Sequence, residues 1–495
     1  MPMPRCGVAV ARVGYGLGMR RRHVLTLAAV GAVAAGCDPD RPAGLPAGVG
    51  AGTGAAPSLG PGGLAFPAGF VWGASTSAYQ VEGAAAEDGR GPSVWDTFSH
   101  LAGRTRGGDN GDVAADHYHR VYEDLDLMKR IGLKSYRFSI SWSRVMPDGR
   151  GALNAKGLDF YHRLVDGLLA RGIAPVATLF HWDTPQRLQD KGGWEQRDCA
   201  QWFADYALQM FYSLGDKVPT WLTLNEPKTV VQLGYTAGMH APGKRDKRVA
   251  NVAGHHLLLG HGLAVRAFRG SGKQGRIGAA LNLSPVYPAD SSAGAGKQAT
   301  LVDDDENRRW LEPVLRGRYP DSWLAAQPGN APVRAAIRDG DAATIGERSD
   351  LLGVQYYNPV YVTAQGGRVT KHPTTQATWL EVYPDGLFDL LTRIKKDYGD
   401  VPLSVTENGM PSTNDVQDDD RIGFLRDHLA AAHRAIAAGV RLEGYHVWSL
   451  LDNFEWAEGY SQRWGLIRVD QQTHDRRLRA SAEWYRDVIA RNGVA

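Results

Sequence analysis

The chain has 495 residues, 43% of them hydrophobic and 22% charged, with a net charge of only +3. This is ordinary composition for a globular protein with a large core, and much of the small basic excess sits near the N-terminus, so nothing points to nucleic acid as a partner. The aromatic balance, 14 Trp and 19 Tyr against 12 Phe, favours side chains with a flat apolar face and a hydrogen-bonding edge, which suit sugar rings as well as cores.

Taken in chain order, Arg20, Arg21 and Arg22 precede an apolar run from Val24 to Ala35 that is too short to span a membrane as a stable helix. This is the layout of a secretory signal, and Arg21-Arg22-His23-Val24-Leu25 suits the twin-arginine route, with Met19 as its natural start. The run ends Ala34-Ala35-Gly36-Cys37, which resembles a bacterial lipoprotein cleavage site with Cys37 as the lipidated residue. Ala34 stands where an aliphatic residue such as Leu is usual, and cleavage near the small residues without a lipid is the alternative. The expectation is a signal region over 1–37 and an exported protein, either anchored at the cell surface or secreted. Contact with a membrane is expected only through that anchor. Residues 38–65 are rich in Gly, Ala and Pro and predict a flexible linker, with a folded domain over 66–495 beginning at Phe66.

From there, short apolar or β-branched runs alternate with amphipathic helical stretches, the pattern of βα units. The strand candidates are 70–80, 135–142, 174–182, 221–226, 276–285, 350–358, 402–408 and 442–452. Between them, Tyr122, Leu125, Met128 and Ile131 hold helical spacing, as do Leu164, Leu168 and Leu169, and also Phe424, Leu425, His428 and Leu429. Eight such units predict an α/β fold, a (β/α)8 TIM barrel in a single catalytic domain, with its working groups at the C-terminal ends of the strands. Of the cysteines Cys6, Cys37 and Cys199, only the last lies in this domain, so no disulfide is expected there. No Cys/His cluster has metal-ligand spacing, and His255, His256 and His261 read as a helix face; no metal or other cofactor is expected.

Two strand ends carry the chemistry. WLTLNEP (221–227) places Asn225 and Glu226 just before Pro227, and Pro cannot continue a sheet ladder. PLSVTENG (402–409) repeats the arrangement with Glu407 and Asn408. Two carboxylates converging across a barrel mouth are what glycoside hydrolysis needs: one protonates the leaving oxygen, the other attacks or activates water. At this point the chain from about Phe66 to its end resembles glycoside hydrolase family 1, the β-glucosidase family. FVWGASTSAYQVEG (70–83), GPSVWDTF (91–98), YRFSISWSRVMPDG (136–149), HWDTPQ (181–186), TLNEP (223–227), HAPG (240–243), VTENG (405–409) and WSLLDNFEWAEGYSQRWG (448–465) carry the likeness.

The resemblance implies a retaining, double-displacement mechanism with Glu226 as acid/base and Glu407 as the ionised nucleophile. It further implies that Arg137 supports the charge of Glu407, that Tyr357 hydrogen-bonds it, and that Asn225 meets the sugar 2-hydroxyl. Gln80, His181 and Glu455 would bind the outer hydroxyls, with Trp448 as stacking floor and Trp456 beside it. The family usually has Asn where Gln355 stands; the extra methylene is expected to rearrange hydrogen bonding near Tyr357 while leaving catalysis intact.

The implied activity is an exo-acting β-glucosidase on small β-glycosides or oligosaccharides. β-Galactosidase or β-fucosidase action, and transglycosylation, use the same two Glu residues and stay open. A carboxylate at Glu455, where 6-phospho-sugar relatives usually carry Ser, would repel a 6-phosphate. Glu226 argues against a thioglucosidase, which typically has Gln there. A non-catalytic sugar-binding protein would have lost one of the two Glu residues, and neither is lost. The sequence favours no oligomeric state.

Overall fold

The eight predicted strands become the staves of one closed parallel barrel: β1 (Val71–Ser75), β2 (Ser135–Ser139), β3 (Ala174–Phe180), β4 (Thr220–Asn225), β5 (Arg276–Asn282), β6 (Leu351–Gln355), β7 (Leu403–Asn408) and β8 (Leu442–Trp448). This is a computed structural model, in which residues 59, 62–326 and 331–495 are described. The signal region, Cys37 and nearly all of the expected linker lie outside the described residues. Neighbouring strands pair in chain order, and β8 closes onto β1 from Gly444↔Val71 to Trp448↔Ser75. The strands read as near-continuous apolar runs because the barrel interior covers one face and helices cover the other.

Helices return the chain between strands, among them His117–Ile131, Ala155–Leu169, Asp198–Leu214, Lys247–Gly270, Pro384–Tyr398 and Asp419–Ala437. On the first, Val121, Leu125, Met128 and Ile131 face the core, while Tyr122 is 51% exposed. The expected stripe was therefore one residue out at its start: Val121, not Tyr122, is in register with Leu125. Leu169 likewise turns outward at 43% exposure, whereas Leu164 and Leu168 are buried. His255, His256 and His261 are buried on their helix and held by Asp341, the Trp194 carbonyl and Thr223.

Two features were not anticipated. Leu64–Ala65 pairs antiparallel with Gly493–Val494, so a short strand immediately precedes Phe66, inside the span expected to be linker. The pairing partner is the far end of the chain, which no local pattern can signal. A small sheet of Val286–Pro288, Val360–Val362 and Arg368–Val369 also forms just beyond the C-terminal ends of β5 and β6. Among the described residues, no helix is long and apolar enough to cross a membrane.

Candidate active site

Both key carboxylates sit where the ladder breaks. The pairing of β4 with β5 shifts register between Leu222 and Asn225. Glu226 then adopts a left-handed backbone (φ 46°, ψ 61°), and Pro227 opens the short helix Pro227–Thr229. A strand alternates its side chains, so this turn is what allows Asn225 and Glu226 both to face the mouth. On β7 the register shifts between Val405 and Glu407 against β6, and between Val405 and Asn408 against β8. Such bulges bend the strand and re-aim the next side chain, here Glu407. The backbone beyond is tightly fitted: a Cβ on Gly409 would lie 1.8 Å from the Trp448 carbonyl oxygen, so only glycine lets the end of β7 lie against the end of β8.

Glu407 is held at both oxygens. Arg137, from β2, donates through Nη1 to Oε1 at 2.6 Å, and the Tyr357 hydroxyl donates to Oε2 at 2.8 Å. Arg137 is itself fully buried and also donates to Thr178 Oγ1 at 3.1 Å and Asn225 Oδ1 at 2.5 Å. Burial raises the Glu407 pKa above its ordinary value, while Arg137, Tyr357 and Gln355 offset part of that rise. Glu226 is pushed up to about 8, first by burial and second by the charge of Glu407. Donors and a cation surround one carboxyl, whereas the other is desolvated beside a negative charge, so Glu407 ionises first and Glu226 keeps its proton.

A neighbouring cation could have spoiled this division. Lys228, two residues from Glu226, pulls its pKa down. Its ammonium is instead engaged by buried Glu306 at 3.0 Å, and Arg368 approaches the same carboxylate. Glu306 is consequently depressed to about 2, against the effect of its own burial. No local pattern marks this pair, because its members lie on different βα connections.

The remaining predicted residues line the same mouth. Gln80 donates to Asn453 Oδ1 at 2.9 Å, to the Phe454 carbonyl at 3.1 Å and to Glu455 Oε2 at 3.4 Å. His181 lies between Trp448 and Trp456, with ring centroids 5.8 and 6.0 Å away and planes within 24° and 25°. The ring of Trp456 also lies 4.5 Å, centroid to centroid, from those of Trp95 and Trp182, and the Trp182 indole donates to the main-chain carbonyl of Asn225 at 3.0 Å. Trp95 and Trp182 were not among the predicted site residues, although both lie inside motifs that carry the family likeness, GPSVWDTF and HWDTPQ. Glu455 is pushed up to about 8 by burial and then by Glu407 and Glu226. Its negative charge is therefore disfavoured by its surroundings, and a further anion such as a 6-phosphate would be placed beside Glu407 as well.

Arginine-supported and proton-bearing carboxyls, facing each other across a barrel mouth rimmed by contacting tryptophans, match a known family over nearly the whole domain. The family model for "Glycosyl hydrolase family 1" matches residues 64–494. The chain belongs to glycosyl hydrolase family 1. It is 45% identical over 446 residues to a beta-glucosidase A of Acetivibrio thermocellus, covering 87% of this chain and 99% of that one. It is 43% identical to a bifunctional beta-D-glucosidase/beta-D-fucosidase of Bifidobacterium breve, covering 86% and 98%. Its fold superposes on a Thermotoga maritima beta-glucosidase in complex with glucoimidazole with a TM-score of 0.84 at 42% identity, covering 87% of this chain and 100% of that one. Among the described residues of this family member, no group of three or more His, Cys, Asp or Glu is arranged to hold a metal ion.

Proposed function

We propose that the protein is a retaining, exo-acting β-glucosidase in which Glu407 is the nucleophile and Glu226 the acid/base. The observation that carries this reading is the unequal treatment of the two carboxyls: Arg137 and Tyr357 grip both oxygens of Glu407, while Glu226 is held protonated up to about pH 8. In the first step Glu407 attacks the anomeric carbon as Glu226 gives its proton to the departing glycosidic oxygen. The resulting ester carries no charge, so the second cause of the raised Glu226 pKa disappears. Glu226, now ionised, takes a proton from the incoming water, whose oxygen displaces Glu407 at the same carbon and restores both groups.

Asn225 meets the 2-hydroxyl, Gln80, His181 and Glu455 take the outer hydroxyls, and Trp448 and Trp456 supply the floor and wall of the sugar site. The names of the relatives favour glucose as the sugar. The bifunctional relative keeps β-fucoside cleavage as the specific second reading, and β-galactosidase action and transglycosylation remain further outcomes of product analysis. A panel of aryl β-glycosides with and without an alcohol acceptor tests the assignment: the highest kcat/KM is expected on the glucoside, and a galactoside preferred tenfold or more would overturn it. Glu226→Ala should be partly rescued by azide to give a β-glycosyl azide; an α product contradicts retention. Export by the twin-arginine signal, with Cys37 as a lipid anchor or with release of the protein, rests on the sequence motif. Mass spectrometry of membrane-fraction protein tests it: a diacylglyceryl adduct on Cys37 supports anchoring, and an unmodified soluble N-terminus supports secretion.

A further inference from the structure

The directions of one chain of hydrogen bonds at the barrel mouth follow from one residue that can only donate. A guanidinium has no acceptor, so the Asn225 atom that faces Arg137 Nη2 at 2.5 Å is its carbonyl oxygen. The same oxygen lies 2.7 Å from the Gln355 amide, which must therefore offer Nε2 and turn Oε1 away. Asn225 then presents its own Nδ2 to His181 Nε2 at 2.9 Å, and that ring nitrogen accepts. The proton of the neutral imidazole is thereby on Nδ1. Gln355 Oε1 and His181 Nδ1 form the two ends of this chain, both buried and without a hydrogen-bond partner among the described residues.

Reach makes Gln355 particular. It ends β6, opposite Asn282 of β5 on one side and Glu407 of β7 on the other. Asn225 ends β4, opposite Ala280 of β5. The amide must therefore cross β5, two strand spacings or roughly 10 Å between backbones. The small Ala280 on the intervening strand leaves room for the long Gln355 side chain to do so, and a side chain one methylene shorter would stop short.

We infer that Gln355 is a positioning residue for the reaction: as the second donor into the Asn225 carbonyl, it keeps the Asn225 amide turned with its NH2 toward the sugar. Arg137 is shared with Glu407 and Thr178, and Gln355, which also helps hold the charge of Glu407, adds the second donor that fixes the amide. With Gln355 in place Asn225 donates to the 2-hydroxyl and never presents its oxygen there. The inference rests on the proposed contact between Asn225 and that hydroxyl, and the test separates the two.

The experiment measures kcat/KM for an aryl β-glucoside and its 2-deoxy analogue in the wild type, Gln355→Met, Gln355→Asn and Asn225→Ala. Comparing two substrates on one preparation cancels any difference in the folded fraction. Gln355→Met keeps the length and loses the donor; Gln355→Asn keeps the donor and loses the reach. Both should lose about tenfold more on the glucoside than on the 2-deoxy analogue, the worth of one directed hydrogen bond. Equal losses on both substrates, or none, while Asn225→Ala stays selective for the glucoside, would overturn the role of Gln355 alone. An unselective Asn225→Ala would overturn the 2-hydroxyl contact and the inference with it.

Discussion

Converting Glu407 to a neutral group should release the proton of Glu226 at markedly lower pH. In the free enzyme Glu226 titrates at about 8, raised first by burial and second by the Glu407 charge. Retaining glycosidases hold their two carboxyls roughly 5.5 Å apart. At an effective dielectric of about 20, two unit charges at that distance repel by about 3 kcal/mol. Removing the repulsion should strengthen the acid by on the order of a hundredfold, moving its midpoint to near pH 6. Burial persists, so the midpoint stays above the ordinary carboxyl value. The assay is carboxyl carbon-13 NMR of glutamate-labelled protein, free and with Glu407 trapped as a 2-deoxy-2-fluoroglucosyl ester. The same shift should separate the rate profiles: glycosylation fails above about pH 8, where Glu226 loses its proton, while hydrolysis of the ester sets in near pH 6. An unchanged Glu226 midpoint in the trapped enzyme would refute the electrostatic coupling and leave burial as the sole cause.

Three further outcomes follow from named contacts. Arg137→Met removes one partner of a buried pair, a loss of about 3–5 kcal/mol, so kcat/KM should fall a hundredfold or more and the acid limb of the profile should move to higher pH; an unmoved limb would assign Arg137 a purely structural role. Glu306 has a folded pKa of about 2 against an ordinary 4.5, so its stabilisation is present above about pH 4.5 and lost as pH falls toward 2. Lys228→Met should therefore lower the unfolding midpoint at pH 7 and flatten the acid limb of stability between those values, and an unchanged acid limb in thermal unfolding contradicts the pairing. Gly409→Ala drives a methyl into the Trp448 carbonyl; overpacking of about 1–3 kcal/mol should lower the unfolding temperature and reduce kcat together, and wild-type behaviour in both would show that β7 and β8 can separate freely there.

The eight strands and the two Glu residues were legible because each depends on neighbours in sequence: an apolar run, a polar end, a Pro or Gly after it. The barrel then brings Glu226 and Glu407 together as a matter of topology. What was not legible depends on partners distant in the chain. The bulges that aim Glu407 are differences in register between β7 and its two neighbours, not a property of VTENG itself. Glu306, which engages Lys228 from 78 residues away, lies in an acidic helical stretch that reads locally as a solvated face. The raised pKa of Glu455 arises first from burial and then from Glu407 and Glu226, and a sequence displays that residue only as a charge. Tyr122 shows the limit of periodicity, since both it and Val121 suit an apolar stripe and only packing selects Val121.

The central claim, that Glu407 is the nucleophile of a retaining β-glucosidase, is tested most directly by peptide mass mapping after reaction with a 2-deoxy-2-fluoro-β-glucoside carrying a good leaving group. The expected result is one fluoroglucosyl adduct on the peptide bearing Val405-Thr406-Glu407-Asn408, localised to Glu407 by fragmentation. An adduct on Glu226 or Glu455, or turnover of the reagent with no adduct at all, would contradict it.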